Sequence, residues 1–481
     1  MYNLINKKLE NFSQEYNLLY WRHIVQNNPF DSSSFRKRAS SFFHDKEINS
    51  FIENNLKQSK DIYTKRKFWL LKNYFKSQRI ALDNELSDLI DEATNLIKDY
   101  KYSLNGELLT DRQVREKIAR AQNSSERQKY LKLYRQLHED CKNLTVEIVS
   151  LRNKLSRKEG VRDFLSLYFS NYNVSIPDVV EFVNLLKKRL IKVAREKKYS
   201  NESLHQRKGD LVNILSGDNA LQQLNKLLRK WGINIKKTGI IIVNDTSCST
   251  DFPWNLCVPV MIPDDIRVFI FPDKPNISFY YTLFHEIGHA LHYSHIRESD
   301  FIFKLNPPWY EESMASLVDK FLSLNECIET FTKNPEKIKL VKELNQSEDY
   351  RSYLNRLTEF IFESEVYGSA LSISEIDRIY KEVYKENLGI ENKELDWGYF
   401  LIQNSLYPFY GISYVIANTI ANQIITYVYK KYGKYLTPEV FSFIKKNLYT
   451  HGNSIPWQER IEKAISQPFT SSYFWGIENV D

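Results

Sequence analysis

The stretch His285-Glu286-Ile-Gly-His289 has the residue types and the spacing to hold a divalent metal beside a base. On a helix, positions four apart share a face, so both imidazoles can reach one ion. Zinc accepts neutral imidazole nitrogen readily, and a catalytic zinc takes three protein ligands and leaves one position for water. Glu286, next to the first histidine, can accept a proton from that water. Leu283, Phe284, Ile287 and Leu291 are apolar enough to bury the rest of the helix.

A third ligand has to be an acid or a histidine from a neighbouring helix. Pro307-Pro-Trp-Tyr-Glu311-Glu312-Ser-Met-Ala-Ser316-Leu-Val-Asp319, whose two glutamates fall 22 and 23 residues beyond His289, supplies it. The prolines end a connection, and the residues after them have helical spacing. Glu312 is the choice over Glu311, because Ala315 and Ser316 follow it at three and four positions and their small side chains allow a close approach to the histidine helix. The expected metal set is therefore His285, His289 and Glu312, holding one zinc per chain. Asp319, two turns further along, either accepts a hydrogen bond from a ligand imidazole or is a solvated or salt-bridged carboxylate. Glu311 is expected at the surface or behind the ligands. His292 is expected to be packed and hydrogen-bonded, and His295 to lie at the surface.

These side chains need a scaffold, and most of it reads as helical. Up to about residue 236 apolar residues recur three and four apart, as in Leu86–Tyr100 and Tyr130–Leu155. Thr110-Asp-Arg-Gln113 fits a capping box and Ser175-Ile-Pro-Asp178 a helix start. Asn105-Gly106 and Gly160 read as turns between helices. Gly239–Val243, Cys257–Met261 and Arg267–Phe271 are short β-branched or aromatic runs and predict a small sheet. Helices resume near Ser278, and Thr437-Pro438 marks a late helix start. The fold class is mostly α with a small β-sheet. The expected division is an N-terminal helical region over 1–150 and a catalytic region over 151–481.

Composition narrows the partners. Hydrophobic residues make up 42% and charged residues 26% of the 481, the balance of a folded chain rather than a disordered one. Only 14 Gly and 14 Pro punctuate it, which favours long helices. The net charge of +7 is dispersed along the chain, whereas a nucleic-acid footprint gathers Lys and Arg on one face, so no nucleic-acid partner is expected. No run of 18 apolar residues and no signal-peptide start is present, so the expectation is a cytoplasmic protein with no membrane partner. Cys141, Cys248, Cys257 and Cys327 are far apart and read as reduced thiols. The sequence indicates no oligomeric state.

The segment from His285 to His292, followed by the Glu312 helix, resembles the thimet oligopeptidase and oligoendopeptidase F family of zinc metallopeptidases. Arg152–Phe164 is similar to that family's entry into its catalytic region, and Pro408-Phe-Tyr410-Gly-Ile-Ser-Tyr414-Val-Ile-Ala417 resembles its tyrosine-rich substrate segment. The likeness spans about residues 150–425. It implies a two-lobed helical fold with a deep substrate channel and the small β-sheet beside the zinc helix, peptide substrates that are short or unfolded, and a sheet edge at Arg267–Phe271 that pairs with the substrate backbone. It also implies hydroxyls that steady the developing oxyanion, Tyr414 as the better match and Tyr410 next; packing within an aromatic helix is the alternative for both. The chain departs from the family where Gly411 and Ile412 replace tyrosines and Asn404 stands in place of a histidine. Angiotensin-converting enzyme and zinc carboxypeptidases share much of this architecture. A zinc carboxypeptidase or dipeptidyl carboxypeptidase is thus one rival reading, and a non-catalytic helical binding or effector module with a vestigial metal site is another.

Overall fold

The computed structural model describes residues 1–481 apart from 27, 29–32, 122, 197–219, 245–254, 271–276, 370, 389–396, 399–400, 402–406 and 476–481. Helices dominate, and the chain forms two compact units that do not follow chain order. The first gathers residues 1–72, 192–353 and 413–481; the second gathers 73–191 and 354–412. Each unit combines segments distant in sequence.

In the second unit, Asp111–Arg120 opens with the capping box expected at Thr110 and Gln113. The helix Ser124–Lys158 is capped by Asn123, whose side chain accepts from Glu126 N at 2.9 Å. Its apolar stripe of Leu137, Cys141, Leu144, Ile148, Leu151 and Leu155 forms the core. The all-helical reading of this region needs one correction. Lys101–Leu104 (β1) and Glu107–Thr110 (β2) are antiparallel strands joined by Asn105-Gly106. Both turn residues have positive φ, 53° and 85°, the geometry of a tight hairpin loop rather than a link between helices. Within Arg152–Phe164, Arg152 Nη1 donates to Tyr367 Oη at 2.8 Å and Asn153 Nδ2 to Tyr367 O at 2.9 Å. Asn153 Oδ1 accepts from Phe164 N at 2.9 Å. The polar residues of this segment thus fasten a helix junction.

The first unit contains a three-stranded sheet in the order β3-β5-β4: Ile241–Val243 (β3), Leu256–Met261 (β4) and Asp265–Phe269 (β5). β3 runs parallel to β5 and β4 antiparallel to it, with Cys257 opposite Val268 and Val258 opposite Arg267. All three strands were expected within two residues of these bounds. The expected edge was not: β5 is central, flanked on both sides by strands, so Arg267–Phe269 have no open edge to offer a peptide. Phe271 lies outside the described residues. One face of the sheet buries Val258, Val260 and Phe269 against Trp21 and Val25 of the first helix, Tyr2–Gln26. The helix Ile277–His295 packs against β4 and β5 and also along the helix Pro308–Asp319.

That helix pair sets the site. A Cβ added to Gly288 would lie 2.5 Å from Ala315 O and 2.7 Å from its Cα. The helices touch backbone to side-chain-free backbone, the close approach anticipated from Ala315. Tyr310 Oη donates to Leu448 O and Tyr435 Oη to Leu317 O, each at 2.8 Å, fixing the Pro308–Asp319 helix from its outer side. Gly288→Ala is expected to force the pair apart at a cost of about 2–3 kcal/mol, measured by chemical denaturation. A variant as stable as the parent would show that the contact yields.

A second expectation concerns pH. Burial pushes the Glu359 carboxyl in the second unit up to about 7, against the pull of Arg356. A raised acid favours the folded state below its unfolded pKa and loses that contribution as pH climbs through the folded value. Glu359→Gln is therefore expected to remove on the order of 2 kcal/mol of stability loss between about pH 4.5 and 7, read from denaturation curves across that range.

Candidate metal centre

His285, Glu286 and His289 lie on the helix Ile277–His295, and Glu312 on the helix Pro308–Asp319. The four-residue spacing puts the two imidazoles edge to face with centroids 4.7 Å apart and their Nε2 atoms 3.1 Å apart. Glu312, only 2% exposed, brings Oε2 to 2.9 Å from His285 Nε2 and Oε1 to 3.7 Å from His289 Nε2. One ligand atom from each residue falls within 4.8 Å of the others, the grouping that can hold a metal ion. Glu311, the neighbouring alternative, faces elsewhere.

The donor set fits a divalent cation. Two nitrogens and a carboxylate converge on one point, as zinc sites with three protein ligands require. Burial drives His289 down to about 4, which leaves a neutral imidazole with a lone pair to donate. Burial also opposes a charge on His285, but the Glu312 and Asp319 carboxylates outweigh it and hold His285 well above its ordinary value. A metal cation satisfies the same two acids in place of that proton. His285 Nδ1–H donates to Asp319 Oδ2 at 2.9 Å, so of the two readings open for Asp319 the geometry has it orienting a ligand ring.

His289 has no such acid. Its Nδ1 is buried without a hydrogen-bond partner among the described residues. Its ring instead stacks on Tyr293, with centroids 5.9 Å apart and planes 12° apart. Tyr293 Oη donates to Glu311 Oε2 at 3.1 Å, and Asn306 N donates to Glu311 Oε1 at 3.2 Å. Burial pushes Glu311 up to about 8. Glu311 thus supports the aromatic that backs a candidate ligand. Tyr293 was not singled out from the sequence, although its place four residues after His289 puts it on the ligand face.

Glu286 Oε2 accepts from Cys257 N, on β4, at 2.7 Å. Burial raises the Glu286 carboxyl to about 7, with the charge of His285 and the Cys257 N–H pulling it down and Glu312 pushing it up. Sequence patterns do not reveal such a bond, because any residue type supplies a backbone N–H. The Cys257 thiol, flanked by Glu286 and Glu311, is raised well above its ordinary value, chiefly by burial. Cys141, Cys257 and Cys327 are unpaired thiols, and Cys248 lies outside the described residues.

His292 is fully buried among Tyr293, Tyr310 and Tyr449, with neither ring nitrogen hydrogen-bonded to a described residue. It is packed as expected but lacks the expected hydrogen bond. His295, expected at the surface, is half-buried; its Nδ1 donates to Leu291 O at 2.7 Å and its ring packs on Phe441. Tyr414 lies with its ring centroid 6.4 Å from that of His285. Tyr410 begins the same helix, Tyr410–Tyr432, but belongs to the second unit, and the structure groups it with Tyr407 at 5.9 Å. A Cβ at Gly411 would lie 3.4 Å from Glu359 Oε2. Asn404 lies outside the described residues.

Neither a protein-family model nor a curated protein sequence matches the chain. Solved structures do. One provisionally assigned as oligoendopeptidase F superposes with a TM-score of 0.70 at 16% identity, over 98% of this chain and 89% of that one. Metallocarboxypeptidase 1 of Trypanosoma cruzi gives 0.66 at 12% identity, over 98% and 97%. The M32 carboxypeptidase of Deinococcus radiodurans R1 gives 0.57 at 15% identity, over 97% and 95%. The chain has the helical metallopeptidase fold these structures share, with small sheets set among long helices. Among the described residues, no helix is long and apolar enough to cross a membrane.

Asp319→Asn is expected to weaken metal binding about 10- to 100-fold, measured by chelator competition. Unchanged affinity would remove Asp319 from the site.

Proposed function

We propose that this protein is a zinc-dependent metallo-oligopeptidase that hydrolyses peptide bonds in short or unfolded peptides. The observation that carries the reading is the convergence of His285, His289 and Glu312 beside a carboxylate already anchored to a strand. Those three residues would hold the zinc, which when bound supplies the Lewis acidity that activates water and polarises a carbonyl. Glu286 acts as general base. Its Oε2 is fixed by the Cys257 N–H, so Oε1 is the oxygen that takes a proton from the attacking water and returns it to the leaving amine. Asp319 keeps the His285 ring oriented, and the Tyr293 ring does the same for His289. Tyr414 is assigned as the hydroxyl that donates to the developing oxyanion, supported by its ring lying beside His285.

The superposition on two carboxypeptidases supports a second reading, in which cleavage starts from the peptide's C-terminus. A C-terminally amidated peptide and its free acid separate the two: an oligopeptidase cuts both, whereas a carboxypeptidase spares the amide.

Incubation of a mixed peptide library, followed by mass spectrometry with and without a chelator, is expected to show internal cuts that the chelator abolishes. Glu286→Gln is expected to retain the metal and to lose at least about 100-fold in kcat. Full turnover by that variant would dismiss Glu286 as the base.

A further inference from the structure

The two candidate histidine ligands are steadied in different ways. His285 has the Asp319 carboxylate on its second nitrogen, whereas the His289 ring is backed by the face of Tyr293. Stacking orients an imidazole only as firmly as the ring beneath it is held. Tyr293 is held by its hydroxyl on Glu311 Oε2, and Glu311 by the Asn306 N–H on Oε1. Asn306 is buried in the irregular connection just ahead of the Glu312 helix, so no helical repeat sets the direction of its N–H. Its side chain is held by Arg460, whose Nη2 donates to Asn306 Oδ1 at 3.1 Å.

Arg460 lies on the helix Trp457–Ile465 and is 1% exposed. Its guanidinium donates to three uncharged oxygens: Asn306 Oδ1, Ile455 O at 3.1 Å and Leu448 O at 3.4 Å. Tyr310 lies against it, with the ring centroid 4.1 Å from Cζ. A cation is costly to bury among neutral groups. What a guanidinium offers in such a place is a rigid fork of donors that fixes several acceptors at once. Here it ties the connection at Asn306 to the segment 448–455.

We infer that Arg460 is a positioning residue of the metal centre: by orienting Asn306 it sets Glu311 and the Tyr293 hydroxyl, and through them the plane of the His289 ring. This rests on the reading of His285, His289 and Glu312 as metal ligands. One acid orients the first histidine; a relay of Arg460, Asn306, Glu311 and Tyr293 orients the second. An imidazole that turns about its own bond aims its Nε2 elsewhere, so a broken relay weakens metal binding without removing a donor.

Tyr293→Phe cuts the relay at its last bond and keeps the ring, while Arg460→Met and Asn306→Ala cut it at the first. Zinc affinity, measured by chelator competition, is expected to fall about tenfold in each. Links of one chain do not add. Arg460→Met or Asn306→Ala made on the Tyr293→Phe background is therefore expected to leave affinity within about twofold of Tyr293→Phe alone. Should Arg460→Met fail to fold, Asn306→Ala carries the comparison, because it spares the Arg460 bonds to Leu448 and Ile455. An affinity loss of the same factor in both backgrounds would mean that Arg460 merely steadies the fold, and would overturn the inference. So would unchanged affinity in the single variants. A parent that binds no zinc would instead overturn the metal reading, and this inference with it.

Discussion

The approach of two helices at Gly288 and Ala315 is the constraint from which the site follows. Side chains ordinarily hold packed helices 8–10 Å apart, and a Cβ at Gly288 would strike the backbone of the opposite helix. With that volume absent, Glu312 comes within hydrogen-bonding distance of His285 from a separate helix. The two histidines need only the helical repeat to converge; the third donor needs this contact. Tyr310 and Tyr435 hold the same helix by donating to Leu448 and Leu317 from its other side.

The centre is also costly to bury without a cation. Glu312 and Asp319 flank one imidazole, while Glu286 and Glu311 have carboxyls raised to about 7 and about 8 by burial. Interiors tolerate such charge when it is paired. His285 serves as the partner for two of these acids, and hydrogen bonds from Cys257, Asn306 and Tyr293 serve the other two. The result is a set of side chains whose orientations are decided before any ligand enters.

What could be read from the sequence was periodic or local. The histidine spacing, the Thr110 capping box and the three strands of the second sheet each rest on patterns shorter than a dozen residues. The small residues that follow Glu312 at helical spacing favour it over Glu311, and it is Glu312 that lies beside His285. The features missed depend on distant parts of the chain. Three runs of apolar residues carry no strand order, so nothing local marks β5 as the central strand. The bond from Cys257 to Glu286 uses a backbone group with no sequence signature. The Asn105-Gly106 hairpin was hidden by the helices around it, even though an Asn-Gly pair suits a two-residue loop. The compact units recombine separate stretches of chain, which local patterns cannot anticipate.

The finish of β4 matters beyond its neighbour Glu286. An uncovered strand end presents unsatisfied amides to any other extended chain, including another molecule of the same protein, and is a common origin of aggregation. Pro259 supplies no amide, and the register shifts just beyond it, between Pro259 and Met261, so such a chain meets an interrupted row of donors there.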